Sequence, residues 1–456
     1  MAKQLRSVGL DVGTTTTQLV VSQLTIENKA GGFSVPELAI THREILYESP
    51  VFFTPLVKDE LVDSQALRQL VIAEYAKAGI TREQVDTGAI IITGETSRKE
   101  NARQVLEALS DLAGDFVVAT AGPHLESVLA AKGAGTLEES KHSSVPLLHI
   151  DIGGGTSNLA LLEDGKILRT GCLNVGGRLV KFDHKGCVTY LSPVLEGLTE
   201  LAPGVCATEE QMLSIAQRLT QALEMAAGLR PADTLLERLS TLEAGSPFPP
   251  APPGVRIVLS GGVAECVRQV FPPLQFGDLG PILGQCIRQS LLAGHYQLGS
   301  QTIRATVIGA GCHAAQLSGS TVYVSGVELP AKNLPVAVFS SEEQSSPVLP
   351  QLIRQRISQE DVTPVLYFPG FSGASYQQIT QLADAIAQTN EPLLLLALQQ
   401  DMAKALGQAL KLRKPDCGIL CLDGLTLSEG DYLDVGNPIG PTFPVIIKTL
   451  AMSTQY

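Results

Sequence analysis

A duplicated α/β fold with an added α/β module is what the 456-residue sequence predicts, on three observations. Strand-like apolar runs alternate with stretches of helical spacing, the pattern of an α/β layer architecture. A strand that runs into Asp-x-Gly, turns, and returns as a second strand leading to a hairpin occurs twice, at Asp11 and at Asp151, 140 residues apart. Beyond Ser318 the character changes to a helix–strand–helix–strand unit with no catalytic motif in it.

The first copy begins with an apolar run at 7–10 that ends on Asp11. Strand character resumes at 18–24 and again at 39–47. Leu67, Leu70, Val71 and Tyr75 recur at helical spacing within 64–78, and Gly79 closes that helix. A buried strand at 89–93, a helix at 98–112, a strand at 116–119 and a helix at 125–131 complete it. The second copy starts with a strand at 145–152, and runs at 157–162 and 166–172 form a hairpin across Asp164-Gly165. A helix at 209–228 follows, then a Pro-rich surface loop at 230–254, a strand at 256–259 and a helix at 264–270. Residues 305–317 read as a short strand entering a helix. In the last module 322–324 and 336–339 read as edge strands, followed by helix 377–388, strand 392–398, helix 402–412 and strand 418–422. The expected units are therefore 1–145 with 307–319 returning to it, 146–306, and 320–456.

Composition narrows the function. At 44% apolar and 17% charged residues the chain is built for burial, and its length allows about three domains. No apolar run approaches 18 residues, and Asp11 interrupts the N-terminus before a signal-like core can form, so membrane and secreted classes are not expected. A net charge of −13, from 33 basic and 46 acidic residues, repels phosphate backbones and argues against nucleic acid as a partner. The eight cysteines (172, 187, 206, 266, 286, 312, 417, 421) lie apart with no C-x-x-C pair, which reads as buried single thiols in a reducing cytoplasm. The seven histidines read as packing or surface residues, His149 within a strand.

Three glycine-rich turns carry the chemistry. In Asp11-Val-Gly13-Thr14-Thr15-Thr16-Thr17, a carboxylate at a strand end precedes a glycine and four hydroxyls. Backbone N–H groups and hydroxyls in such a turn face an anion, and the carboxylate tolerates phosphate only through a cation such as Mg²⁺. Asp151-Ile-Gly153-Gly154-Gly155-Thr156 repeats the arrangement with more glycine than a hairpin needs. Two such turns facing across a cleft would grip one polyphosphate, with Asp11 and Asp151 sharing the metal. Leu259-Ser-Gly261-Gly262 closes a strand, and its bare backbone admits a nucleoside. Gly309 opens a helix of small residues suited to close packing at a hinge. The sequence has no G-x-x-x-x-G-K-[ST] run, so a P-loop is excluded as the nucleotide site.

In this order, the motifs at Asp11, Asp151, Gly261-Gly262 and Gly309 resemble the two phosphate loops, adenosine motif and second connecting helix of the actin-like ATPase superfamily, with its duplicated ribonuclease H-like, two-lobe fold. Residues 90–112 and 122–133 are similar to the corresponding strand, helix and first connecting helix of the heat-shock ATPases in that superfamily. Across its length, including the last module, the chain most resembles the family of ethanolamine ammonia-lyase reactivating factors. That resemblance implies an ATP-hydrolysing, chaperone-like protein that exchanges damaged cobalamin for intact adenosylcobalamin in its partner, ethanolamine ammonia-lyase. It implies ATP and ADP as ligands and Mg²⁺ as cofactor, and leaves open a homodimer and a microcompartment. One departure stands out: Gly122 replaces the acid that heat-shock ATPases carry before the proline of the connecting helix. Glu95 and Glu126 are rival candidates to orient the attacking water, Glu95 the first choice. A small-molecule kinase on the same scaffold is the alternative reading, and an actin-like filament subunit a third.

Overall fold

The structure, a computed structural model, describes residues 3–13, 16–28, 38–57, 61–92, 105, 108–109, 112, 118–120, 123–241, 248–313, 315–319, 321–358, 362–428, 431–438 and 442–449. Its first sheet starts with an antiparallel meander, β1 (Lys3–Val12), β2 (Thr16–Asn28) and β3 (Leu38–Glu48). Two parallel strands, β4 (Thr87–Ile92) and β5 (Val118–Thr120), extend it on the β1 side, giving the order β3-β2-β1-β4-β5. The second sheet repeats this plan with β6 (Leu147–Ile152), β7 (Ser157–Glu163), β8 (Lys166–Leu173), β9 (Arg256–Ser260) and β10 (Tyr296–Leu298), in the order β8-β7-β6-β9-β10. The internal echo in the sequence is thus a duplication of strand order and direction. The expected hairpin turn holds Asp164 and Gly165 at φ 49° and 73°, the left-handed pair that a two-residue connection between twisted strands needs.

Every residue of β6 is buried, as expected of a central strand covered on both faces, so its two polar residues, His149 and Asp151, are buried as well. In the first lobe Val8, Leu10 and Val12 pack with Leu67, Val71 and Tyr75 of α1 (Ser64–Lys77). Asp63 caps that helix, accepting from the Gln65 and Ala66 N–H groups at 3.1 and 2.9 Å. Val105, Leu109 and Leu112 join this core, while most of the helix expected at 98–112 lies outside the described residues.

Helix α2 (Pro123–Gly133) follows the first sheet in sequence yet packs on β6, β7 and β8 of the second. The second lobe's core adds α3 (Glu209–Ala226), α4 (Gly262–Arg268) and α5 (Gly280–Arg288). Helix α6 (Ala305–His313) follows the second sheet and returns to β1, β2 and β4 of the first. The two connecting helices cross each other at glycines. A Cβ on Gly133 would lie 1.8 Å from the Ala305 carbonyl oxygen, and one on Gly309 would lie 2.0 Å from that of Leu129.

The third sheet has eight strands among the described residues. Its parallel centre is β13 (Ala331–Val338), β14 (Val365–Phe368), β15 (Leu393–Leu398) and β16 (Gly418–Leu422), with β12 (Tyr323–Ser325) on the β16 edge. Beyond β13 come β17 (Asp431–Val435), β18 (Pro444–Thr449) and β11 (Ala315–Leu317). Helices α7 (Leu349–Ile357), α8 (Tyr376–Ala387) and α9 (Ala403–Arg413) cover one face.

Four expectations need correction. Residues 305–317 form a helix and then a strand, the reverse of the expected order, because a short apolar run rich in Gly and Ala suits either element until its packing partner is known. The expected strand at 336–339 is the end of a longer one, β13, which is interior: residues 331–335 pair with β17 from the distant C-terminus and residues 336–338 with β14. Residues 230–254 are not all surface loop: Thr234–Leu239 is helical under an Asp233 cap, and Phe248 is buried beneath the Arg169 guanidinium at 4.9 Å. Finally, the cysteines are not all single. Cys187 and Cys206 form a disulfide where two turns run antiparallel, held by Val188 N–H to Val205 C=O and Gly204 N–H to Val188 C=O, each 2.8 Å. Cys172, Cys266, Cys286, Cys417 and Cys421 are buried free thiols, as expected. Among the described residues no helix is long and apolar enough to cross a membrane.

Candidate functional site

The two Asp-Gly bends close with the same hydrogen bond. Gly13 N–H donates to the Thr16 carbonyl at 2.9 Å, and Gly153 N–H donates to the Thr156 carbonyl at 2.9 Å. Across each meander the aspartate stands opposite a carboxamide, Asp11 against Gln18 and Asp151 against Asn158. Both bends open into one cleft of about 400 Å³, a size within the roughly 300–1,000 Å³ of small-molecule sites. Gly13 and Thr16 line it from the first lobe; Gly153, Gly154, Gly155 and Thr156 line it from the second, with Gly261 and Gly262 beyond them.

Gly261 must be glycine. Its φ is 89°, and a Cβ there would lie 2.3 Å from the Ile152 carbonyl oxygen. This brings the start of α4 against the end of β6 and leaves Gly262 facing open space, with nothing within 4 Å of its Cβ direction. Gly155 is equally open. A second glycine pair supports the phosphate-type bend from below. Gly177 N–H donates to the Gly153 carbonyl at 3.1 Å and Arg178 N–H to the Gly154 carbonyl at 2.6 Å.

The cleft is acidic. Asp11, Glu126, Asp151, Glu265 and Asp278 face it, against one guanidinium, Arg178, among the described lining residues. Arg178 Nε pairs with Asp278 Oδ2 at 3.0 Å, and Gly280 N–H donates to Asp278 Oδ1 at 2.8 Å. Burial raises the Asp278 carboxyl above its usual range against the pull of those bonds. Burial also pushes Asp151 up to about 6, opposed by hydrogen bonds from the Ser260 and Thr306 hydroxyls. Glu126, on the first turn of α2, accepts from Asn158 Nδ2 at 2.7 Å, which ties the connecting helix to the second sheet. Gln18 Nε2 donates to the Ile303 carbonyl at 3.1 Å and ties the first sheet to the segment before α6. Cys266 also lines the cleft, but burial pushes its thiol up to about 12, so it is no nucleophile there.

The donor set fits a hard cation shared with phosphate. Gln18 Oε1 and Asn158 Oδ1 are buried acceptors with no hydrogen-bond partner among the described residues, and they belong to the side chains opposite the two aspartates. Two carboxylates and two amide oxygens are the ligand type Mg²⁺ takes, with water and phosphate completing its shell. No cluster of three or more His, Cys, Asp or Glu among the described residues could hold a metal alone. An anion entering so acidic a cleft therefore needs its own cation.

Of the residues singled out in the sequence, Asp11, Gly13, Thr16, Asp151, Gly153, Gly154, Gly155, Thr156, Gly261 and Gly262 meet in this one cleft. Thr14, Thr15 and Glu95 lie outside the described residues. Gly309 stands at the crossing of α2 and α6, where its missing side chain admits the Leu129 backbone, the close packing its small-residue helix suggested, and it is not among the described residues that line the cleft. Gln18, Asn158, Gly177, Arg178, Asp278 and Thr306 were not anticipated. The Gly176-Gly177 pair was their one local signal; the others reach the cleft through pairings visible only in the fold.

A sequence profile of the family described as "Ethanolamine utilisation protein EutA" matches residues 3–453. The ethanolamine ammonia-lyase reactivase EutA of Salmonella typhimurium is 40% identical over 473 aligned residues, spanning 98% of this chain and 99% of that protein. Its namesake from Escherichia coli K12 is 41% identical over 471 aligned residues with the same coverage. Among solved structures, the ethanolamine utilization protein EutJ of Carboxydothermus hydrogenoformans matches 67% of this chain and 89% of its own, at 19% identity and a TM-score of 0.35.

Proposed function

The chain belongs to the ethanolamine utilisation protein EutA family, and from that premise we propose that it is an ATP-driven reactivase of ethanolamine ammonia-lyase, opening the lyase so that damaged cobalamin leaves and adenosylcobalamin enters. The observation that carries the ATP-driven part is the pairing of two equivalent Asp-Gly bends, one from each lobe, across a single cleft. The kinase reading on the same scaffold is not favoured, since both curated relatives are described as reactivases.

In this reading the backbone N–H groups and hydroxyls of Gly13–Thr16 and Gly153–Thr156 hold the phosphates of ATP, Thr14 and Thr15 included, and Gly261-Gly262 makes room for the nucleoside. Asp11 and Asp151, with the amide oxygens of Gln18 and Asn158, would hold Mg²⁺, which supplies positive charge against the triphosphate. Glu126, oriented by Asn158, is placed to take a proton from the attacking water, and Glu95 is the second candidate. Because each bend belongs to a different lobe, losing the γ-phosphate removes contacts that hold the lobes together. The lobes then pivot about the crossing of α2 and α6. Only a difference in affinity between the two lobe arrangements can do work on a bound lyase. The chain acts in the cytoplasm beside its lyase, and within a microcompartment wherever the lyase is enclosed.

The test mixes purified chain with lyase carrying inactive cobalamin and follows cobalamin release. Release is expected to need both ATP and Mg²⁺ and to vanish in Asp151→Asn. Release that is equally fast without nucleotide would contradict the reading.

A further inference from the structure

We propose that Ser260 and His149 act as a positioning relay that fixes the Asp151 carboxylate toward the cleft; the inference rests on the nucleotide reading above. Ser260 Oγ donates to Asp151 Oδ1 and lies 3.0 Å from His149 Nε2. Ser260 and His149 are fully buried, and Asp151 is 8% exposed. The chain has a direction. Ser260 owns one hydroxyl proton and gives it to the carboxylate, the stronger acceptor, so His149 must be the donor to Ser260 through Nε2–H. The other ring nitrogen, Nδ1, has no hydrogen-bond partner among the described residues, which agrees with a bare lone pair there. A proton on Nδ1 would leave a buried N–H unsatisfied, the costlier arrangement.

The duplication sets the two aspartates beside different neighbours. In the parallel register of β6 and β9, Asp151 stands beside Ser260; in that of β1 and β4, Asp11 stands beside Ile91. Two residues ahead of each aspartate are His149 and Gly9. Neither Ile91 nor Gly9 has a side-chain donor. Thr306, on the helix that returns to the first sheet, adds a second hydroxyl to Asp151 from across the cleft. The relay therefore belongs to the second bend, where strand register sets a hydroxyl beside the aspartate.

Two measurements test this. The first needs no nucleotide: ¹⁵N NMR of histidine side chains in the ligand-free protein, with His149 assigned by loss of its signals in His149→Gln. The relay requires the Nε2–H tautomer in the wild type and a changed tautomer ratio in Ser260→Ala; an Nδ1–H tautomer in the wild type would overturn it. The second is the Mg²⁺ concentration for half-maximal ATP turnover. Ser260→Ala and His149→Leu are each expected to raise it about tenfold, as lost outer-shell partners of metal ligands do, with the KM for ATP at saturating Mg²⁺ little changed. His149→Gln keeps an N–H donor and is expected to recover most of the loss. An unchanged Mg²⁺ requirement in Ser260→Ala, or equal impairment in the Leu and Gln variants, would overturn the relay. Absence of turnover in the wild type would remove the proposed function while the tautomer still decides the hydrogen-bond chain.

Discussion

Asp151 sits in β6 with its carboxylate in the cleft, and burial raises its pKa from 3.8 to about 6. The folded chain therefore keeps a proton that the unfolded chain has already released between those values. The stabilisation this gives is complete below about pH 3.8 and is lost as the pH rises through about 6. Above that, the ionised carboxylate costs the metal-free fold roughly 3 kcal/mol. Without metal or nucleotide, Asp151→Asn is expected to melt higher than the wild type at pH 8, and the gain to shrink towards zero near pH 4; equal melting curves at both pH values would contradict the burial argument. The same substitution, and Asp11→Asn, are expected to abolish Mg²⁺-dependent hydrolysis in a phosphate-release assay. Both aspartates were legible in the sequence because the bend chemistry is local: a carboxylate, a glycine and hydroxyls within six residues. Gln18 and Asn158 were not, since what marks them is a cross-strand register. Arg178 and Thr306 come from separate turns and helices and carry no local sign of the cleft.

Helix α6 crosses α2 with backbones in contact, and small residues make this possible. Gly309→Val is expected to lower stability by about 3 kcal/mol or more, because the added carbons meet the Leu129 carbonyl with no flexible side chain to yield. Chemical denaturation would read this directly, and an unchanged midpoint would show that the crossing is looser than described. Gly154→Val, by contrast, faces the Arg178 side chain at 3.4 Å and the cleft, so it is expected to leave the midpoint within about 1 kcal/mol while blocking nucleotide binding. Comparing the two variants separates a packing glycine from a cradle glycine. The sequence showed the small residues at 305–311 but not their order of helix and strand, which only the partner helix decides. The Cys187–Cys206 disulfide likewise depends on two turns meeting, and 18 intervening residues hide it.

The whole molecule is two copies of one sheet plan joined by exchanged helices, followed by a third sheet. The duplication could be read from the chain because both bends set an aspartate two residues before a glycine and end on a threonine, at Thr16 and Thr156. The third sheet could be read only in part: strands at 322–324, 336–339, 392–398 and 418–422 were expected, but not the order of its far edge, since β13 pairs with β17 about a hundred residues later and β11 pairs with β18 still further on. ATP consumption is expected to rise on adding ethanolamine ammonia-lyase and to be indifferent to small hydroxyl or carboxylate metabolites; strong stimulation by one metabolite would favour the kinase alternative instead. The proposed ATP-driven cycle depends on two lobes gripping one nucleotide. The most direct measurement is an experimental density map of the chain with Mg²⁺ and a non-hydrolysable ATP analogue. The expected result is a triphosphate lying between Gly13–Thr16 and Gly153–Thr156, with a metal ion between Asp11 and Asp151. A nucleotide bound elsewhere, or one touching a single lobe, would contradict the account.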